Sequence, residues 1–209
     1  MKKYLNSFIC AVLLVTCLLS LSGCFNKGTK VANNGKYNLG TWNKSTYSNT
    51  LLGVKYEMPS GWEKSTADEI LLSMNIDAQN TKDEEKIEKE LSNRDNVSYL
   101  MAREPKTGNN VTIQRVKVSD NIKDEKNYIE SIKTMYKNST DNKYEVGKDG
   151  KTTLAGKKYY TVDVKITMND IVVMRKHYVR KDGNYFVSIV ISSLTGESTL
   201  SKIEKNFIK

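Results

Sequence analysis

Hydrophobic and polar positions divide this chain into a short apolar run, a polar stretch, and a long remainder whose period switches between 3.6 and two residues. In the remainder, Leu51 to Met58 reads as a strand. Pro59-Ser60-Gly61 closes it, because proline presets φ and glycine admits the left-handed region, and Trp62 resumes an extended segment. Thr66-Ala67-Asp68-Glu69 has the spacing of a capping box, with Ile70, Leu71 and Met74 behind it as the apolar stripe of a helix. A second box, Thr81 to Glu84, opens a highly charged helix whose apolar face is only Ile87 and Leu91, which predicts a peripheral position. Val97 to Arg103 and Val111 to Val118 are expected strands around a polar loop holding Pro105 and Gly108. Asp124 to Asn138 puts Tyr128, Ile129, Ile132, Met135 and Tyr136 at helical spacing.

From Tyr144 to Ser193 the pattern becomes a strand meander. Tyr160, Val162, Val164, Ile166 and Met168 alternate with Thr161, Asp163, Lys165 and Thr167. Asn169-Asp170 suits a tight hairpin turn, and Lys181-Asp182-Gly183-Asn184 a slightly longer one. Ile171 to Met174 and Tyr185 to Ile191 are apolar at nearly every position, which predicts strands covered on both faces. A last helix carries Leu200, Ile203 and Phe207 on one face. Strands returning through short turns pair antiparallel, and helices inserted early, midway and late must lie on the sheet. The expected class is α+β, an antiparallel sheet with helices covering its faces.

The apolar run at the start supplies an address. Lys2 and Lys3 precede an apolar core from Phe8 to Leu21, followed by the small residues Ser22 and Gly23, the order of an export signal. The core is shorter than the roughly 20 residues of a membrane span, and no basic stop-transfer cluster follows it directly. Leu21-Ser22-Gly23-Cys24 resembles the lipobox of bacterial lipoproteins. That resemblance implies cleavage before Cys24 and alkylation of its sulfur with diacylglycerol, two acyl chains being enough for stable anchoring. Cys10 and Cys17 leave with the signal, so Cys24 would be the sole mature cysteine and no intramolecular disulfide could form. Residues 1–23 are thus expected to be signal peptide. Residues 24–40, rich in Gly, Asn, Lys and Thr, are expected to be a flexible tether, and residues 41–209 a single domain.

Charge narrows the partners. The chain carries a formal +9, and loss of Lys2 and Lys3 leaves +7 on the exported part. A basic body beside a bilayer is drawn to anionic headgroups or wall polymers, while the same charge also serves simple solubility. No basic run with interleaved aromatics is present, which argues against nucleic acid.

Tyr56-Glu57-Met58-Pro59-Ser60-Gly61-Trp62 before the first helix, and four meandering strands before the last, resemble the PsbP-like or Mog1-like (DcrB-type) domains found in lipoproteins of low-GC Gram-positive bacteria. The resemblance covers about Thr41 to Lys209. It implies an α/β/α sandwich that serves as an interaction or accessory module, with no shared catalytic residues, cofactor or metal.

Candidate chemistry is sparse. His177 is the only histidine, in Arg175-Lys176-His177-Tyr178, so it is the single histidine base available; a partly buried or surface strand position is the expected structural role. No Gly-x-Ser-x-Gly elbow marks a nucleophile. Gly150-Lys151-Thr152 ends like a phosphate-binding loop, but Glu145 occupies the leading glycine position and a strand follows, so Gly147 to Thr152 is expected to be a hairpin turn. Asp83, Glu84, Glu85 and Glu88 interleave with Lys82, Lys86 and Lys89 as on an ion-paired helix face, and they lack a calcium-loop glycine. Tyr159, Tyr160, Tyr178 and Tyr185 are expected to pack across strands, or else to form an exposed docking patch.

The function these features support is a membrane-anchored, extracytoplasmic, non-catalytic module with an envelope protein as partner. Two alternatives remain at this stage. A ligand-capturing lipoprotein serving a transporter needs a deep apolar pocket, and a carboxylate-based envelope hydrolase needs two close acids in a cleft.

Overall fold

The computed structural model describes residues 36–77 and 83–209. The signal, the lipobox with Cys24, most of the tether, and Thr81 and Lys82 lie outside the described residues. The packed body reaches back to Tyr37 and Leu39, which are 5% and 0% exposed, ahead of the Thr41 boundary.

A short 3-10 turn, Lys36–Asn38, leads into three strands that form a small antiparallel sheet: β1 (Thr41–Asn43), β2 (Thr46–Asn49) and β3 (Val54–Glu57). The first two strands are too short to announce themselves by alternation. The second sheet has seven strands: β4 (Glu63–Lys64), β5 (Asn96–Arg103), β6 (Asn110–Val116), β7 (Lys143–Leu154), β8 (Lys157–Met168), β9 (Ile171–Asp182) and β10 (Tyr185–Ser193). Their spatial order is β4-β5-β6-β10-β9-β8-β7, with every pairing antiparallel. Helices α1 (Ala67–Ser73), α2 (Glu84–Asn93), α3 (Glu125–Asn138) and α4 (Glu197–Glu204) flank it. The class is α+β, as the periodicity predicts, with a second small sheet added.

Alternation along β8 separates two cores. Val162, Val164 and Ile166 face one apolar cluster, together with Tyr128, Ile129, Ile132, Met135 and Tyr136 of α3. Tyr159 points the other way, into a larger cluster that collects α1, α2, α4 and the small sheet. β10 is buried on both faces, as expected. β9 is not covered along its whole apolar run: Ile171 and Val172 are 54% and 40% exposed, because the tip of the β8–β9 hairpin lies beyond the helical cover.

The capping box of α1 forms: Glu69 N–H donates to Thr66 Oγ1 (3.2 Å) and Thr66 N–H to Glu69 Oε2 (2.7 Å). The expected box at Thr81 to Glu84 does not start α2. Its cap is Asp83, whose carboxylate accepts from Lys86 N–H at 3.1 Å and adds negative charge at the positive end of the helix dipole. Ile87 and Leu91 are its buried residues, and the helix lies on the 3-10 turn at the periphery.

Gly147 to Thr152 is not a hairpin turn. β7 runs through it with a bulge between Val146 and Asp149, and the turn is the two residues Ala155-Gly156, both at positive φ. Glycine permits a close approach here: a Cβ on Gly147 would lie 3.1 Å from the Asp163 carbonyl oxygen, and one on Gly150 would lie 2.9 Å from Thr161 Oγ1, so either would push its neighbour aside. The turn after β9 is also tighter than expected, with Asp182 paired to Tyr185 across Gly183-Asn184. The last helix stops at Glu204, short of Phe207, whose ring packs 4.9 Å from that of Tyr56. Glu57 N–H donates to Asn206 O (2.8 Å) and Ile208 N–H to Lys55 O (3.1 Å), so the C-terminal segment extends the small sheet.

Two substitutions test this packing. Tyr56 is fully buried and its hydroxyl has no hydrogen-bond partner, so Tyr56→Phe should raise unfolding free energy by about 1 kcal/mol in urea titration. Ala155 holds φ 52°, where Asn is tolerated far better, and Ala155→Asn should add up to about 1 kcal/mol, read as a higher melting temperature.

Candidate functional site

A cleft of about 480 Å³ lies where the 3-10 turn, the small sheet and α2 meet β5 and β6. Local geometry explains why it exists. Tyr37 and Asn38 hold φ 56° and 55°, turning the chain sharply at the cleft wall. Gly40 follows at φ 98°, and a Cβ there would lie 2.6 Å from the Tyr47 ring, so only glycine lets the entering chain cross that ring. The Tyr47 hydroxyl donates to Leu39 O (2.9 Å) and accepts from Asn49 Nδ2 (3.1 Å), which fixes the turn against β2. Burial pushes the Tyr47 phenol up, so it stays a neutral donor.

The lining is mixed. Leu91 and Val97 supply aliphatic surface, Tyr37 and Tyr99 aromatic surface, and Glu88 and Arg115 the only charges. Arg115 Nη2 donates to Leu91 O (3.3 Å), and its guanidinium lies 4.4 Å from the centre of the Tyr185 ring. Burial raises the Tyr99 hydroxyl, with nearby Arg115 opposing the shift and Tyr185 reinforcing it. Reading the sequence missed Arg115, Tyr37 and Tyr99; the only available signal was an isolated arginine in a strand of a lysine-rich chain.

No family model and no curated protein matches this chain. The chain is similar to solved structures. Cyanobacterial PsbP (CyanoP) from Synechocystis sp. PCC 6803 aligns with TM-score 0.46 and 12% identity, over 90% of this chain and 98% of that one. LpqN of Mycobacterium tuberculosis, described as involved in cell envelope biogenesis, aligns with TM-score 0.40 and 12% identity, over 74% of this chain and 79% of that one. These likenesses concern the course of the backbone and assign no residue a role.

The residues singled out from the sequence are dispersed. His177 is only 2% exposed, more deeply buried than expected. Its Nε2 lies 2.9 Å from the Tyr136 hydroxyl, which also accepts from Arg175 Nη1 (3.1 Å). With Arg175 donating to that oxygen, the Tyr136 proton is directed to Nε2, making His177 an acceptor with its proton on Nδ1. Arg175 Nε donates in turn to Ser192 Oγ at 3.0 Å. Burial, reinforced by the Arg175 charge, lowers the His177 pKa to about 3, so the ring is neutral and no serine reaches it within the described hydrogen bonds.

The other candidates separate as well. Tyr159 and Tyr178 pack edge-to-face at 6.4 Å as a cross-strand pair, whereas Tyr160 receives Lys151 and Tyr185 receives Arg115. The acidic run splits, with Asp83 capping α2 and Glu88 lining the cleft. Among the described residues no group of three or more His, Cys, Asp or Glu could hold a metal ion. Glu204 is taken up by Lys176 (3.1 Å) and the Tyr178 hydroxyl on the α4 face. Burial raises the Asp163 carboxyl there, opposed by Lys176 and reinforced by Glu197 and Glu204. The cleft itself contains a single carboxylate, so the described residues place no acid pair in it.

The buried imidazole predicts a pH dependence. Its folded pKa lies below the free value of 6.5, so the unfolded chain binds the extra proton first and stability is lost as pH falls below that value. Between about pH 7 and pH 5 the wild type should lose about 2 kcal/mol of unfolding free energy, and His177→Gln should flatten that slope in urea titrations.

Proposed function

We propose that this protein is a lipoprotein held on the outer face of the cell membrane by a diacylglyceryl group on Cys24, where its body acts as a non-catalytic accessory module. The observation that carries the reading is Leu21-Ser22-Gly23-Cys24 at the junction of the apolar run and the polar stretch. Residues 1–23 would be removed, and residues from Cys24 to the buried Tyr37 would join anchor to body. Among the described residues no helix is long and apolar enough to cross a membrane. The buried, neutral His177 and the dispersed carboxylates support a non-catalytic role, since neither supplies a base beside a nucleophile. Docking of an envelope protein is the use of the body that fits this location. A transporter-linked carrier would need a deep apolar pocket, and the cleft has a mixed lining instead.

Lipid attachment is tested by growing cells with an alkyne-bearing fatty acid and analysing the exported chain by mass spectrometry. The N-terminal peptide should begin at a diacylated Cys24. Cys24→Ser should remove the label and shift the protein out of the membrane fraction without altering the melting of its body. An unmodified Cys24, or a retained leader, would overturn the reading.

A further inference from the structure

The cleft contains one cation whose bonding is incomplete. Arg94, Arg103 and Arg180 each face a carboxylate, at 2.6 Å from Glu90, 3.7 Å from Glu63 and 3.2 Å from Asp182. Arg175 gives its donors to the Ser192 and Tyr136 hydroxyls. Arg115 has neither arrangement. Its contacts are the 3.3 Å bond to Leu91 O and the Tyr185 ring; its buried Nε has no hydrogen-bond partner, as is also true of the Nε of Arg94, Arg103 and Arg180, but Arg115 alone of these four has no carboxylate within ion-pair distance among the described residues. A partly buried guanidinium on a cleft lining without a counter-ion is best satisfied by an oxyanion. The Tyr185 ring holds the guanidinium in place, which favours two-point recognition of a carboxylate over capture by a diffuse charge.

We infer that this cleft binds a small organic monoanion, with its carboxylate on Arg115 and its apolar body against Leu91, Val97, Tyr37 and Tyr99. The volume of about 480 Å³ lies within the range of small-molecule sites, about 300–1,000 Å³. Leu51, 60% exposed on the cleft lining, offers further apolar surface to such a body. Glu88 on the same lining disfavours a second negative charge, which selects monoanions over dicarboxylates and free phosphate. Nothing in this site depends on Cys24, so it stands whether or not the chain is lipidated.

The probe is 2-naphthoate, titrated by calorimetry into the full chain, with the uncharged 2-naphthamide as its shape-matched control. Naphthoate should bind saturably at one site, and the amide roughly tenfold or more weakly. Arg115→Gln should weaken naphthoate by about tenfold and leave the amide unchanged. Ser92→Trp places a large ring on the cleft lining from α2 without altering Arg115, and it should abolish binding of both compounds. Ser92 is exposed, so this second variant decides the matter should Arg115→Gln fail to fold. Absence of saturable naphthoate binding, equal affinity for acid and amide, or unchanged binding in either folded variant would overturn the inference.

Discussion

Burial of the meander on both faces is the constraint on which the molecule depends. Side chains of a strand alternate with period two, so a strand packed on both sides must place apolar groups at successive positions, each set matched to a different layer. β8 to β10 do this with Val162, Val164 and Ile166 toward α3, and Tyr159, Tyr178, Val187 and Ile189 toward the opposite layer. A slip of one residue would exchange the two sets and present each layer with the other's shapes. The sheet register is therefore fixed from both sides, and the helices and small sheet are fitted to a surface that cannot shift.

The two layers differ in kind. The α3 layer is a single helix laid across β7, β8 and β9, held by a continuous apolar stripe and by Lys133, which reaches Glu130 and Asp149 at 2.8 Å each. The opposite layer is assembled from pieces distant in the chain. Arg180 donates to Leu52 O at 2.7 Å, the C-terminal segment pairs with β3, and the Tyr47 hydroxyl pins the entering chain. Pieces meeting at angles leave gaps where a single helix does not, and the cleft is such a gap between the 3-10 turn, the small sheet and α2. The molecule thus combines one layer made of a single helix with one composite layer that carries the cleft.

The polar groups inside the body follow the same division. Under α3, His177, Tyr136, Arg175 and Ser192 form a chain in which donors and acceptors match, and the imidazole stays neutral because a charge there would be desolvated beside a guanidinium. This is the behaviour of a structural network. At the cleft, Arg115 lacks such matching. Arg115 thus differs from the other arginines in facing the cleft without a carboxylate partner among the described residues.

The sequence alone determined the features that rest on near neighbours in the chain. The capping box at Thr66, the stripe from Tyr128 to Tyr136 and the alternation of Tyr160 to Met168 are local patterns, and so is the apolar run closing on Leu21-Ser22-Gly23-Cys24, on which the expected address rests. Tertiary structure decided what depends on distant partners. Gly147 and Gly150 looked like a turn but serve close contact with β8, and Phe207 left its helical stripe to meet Tyr56, 151 positions earlier in the chain. Arg115 carries little local signature, since its surroundings are a cleft built by three separate segments. Periodicity reports which way a side chain faces; only the folded chain determines what it faces.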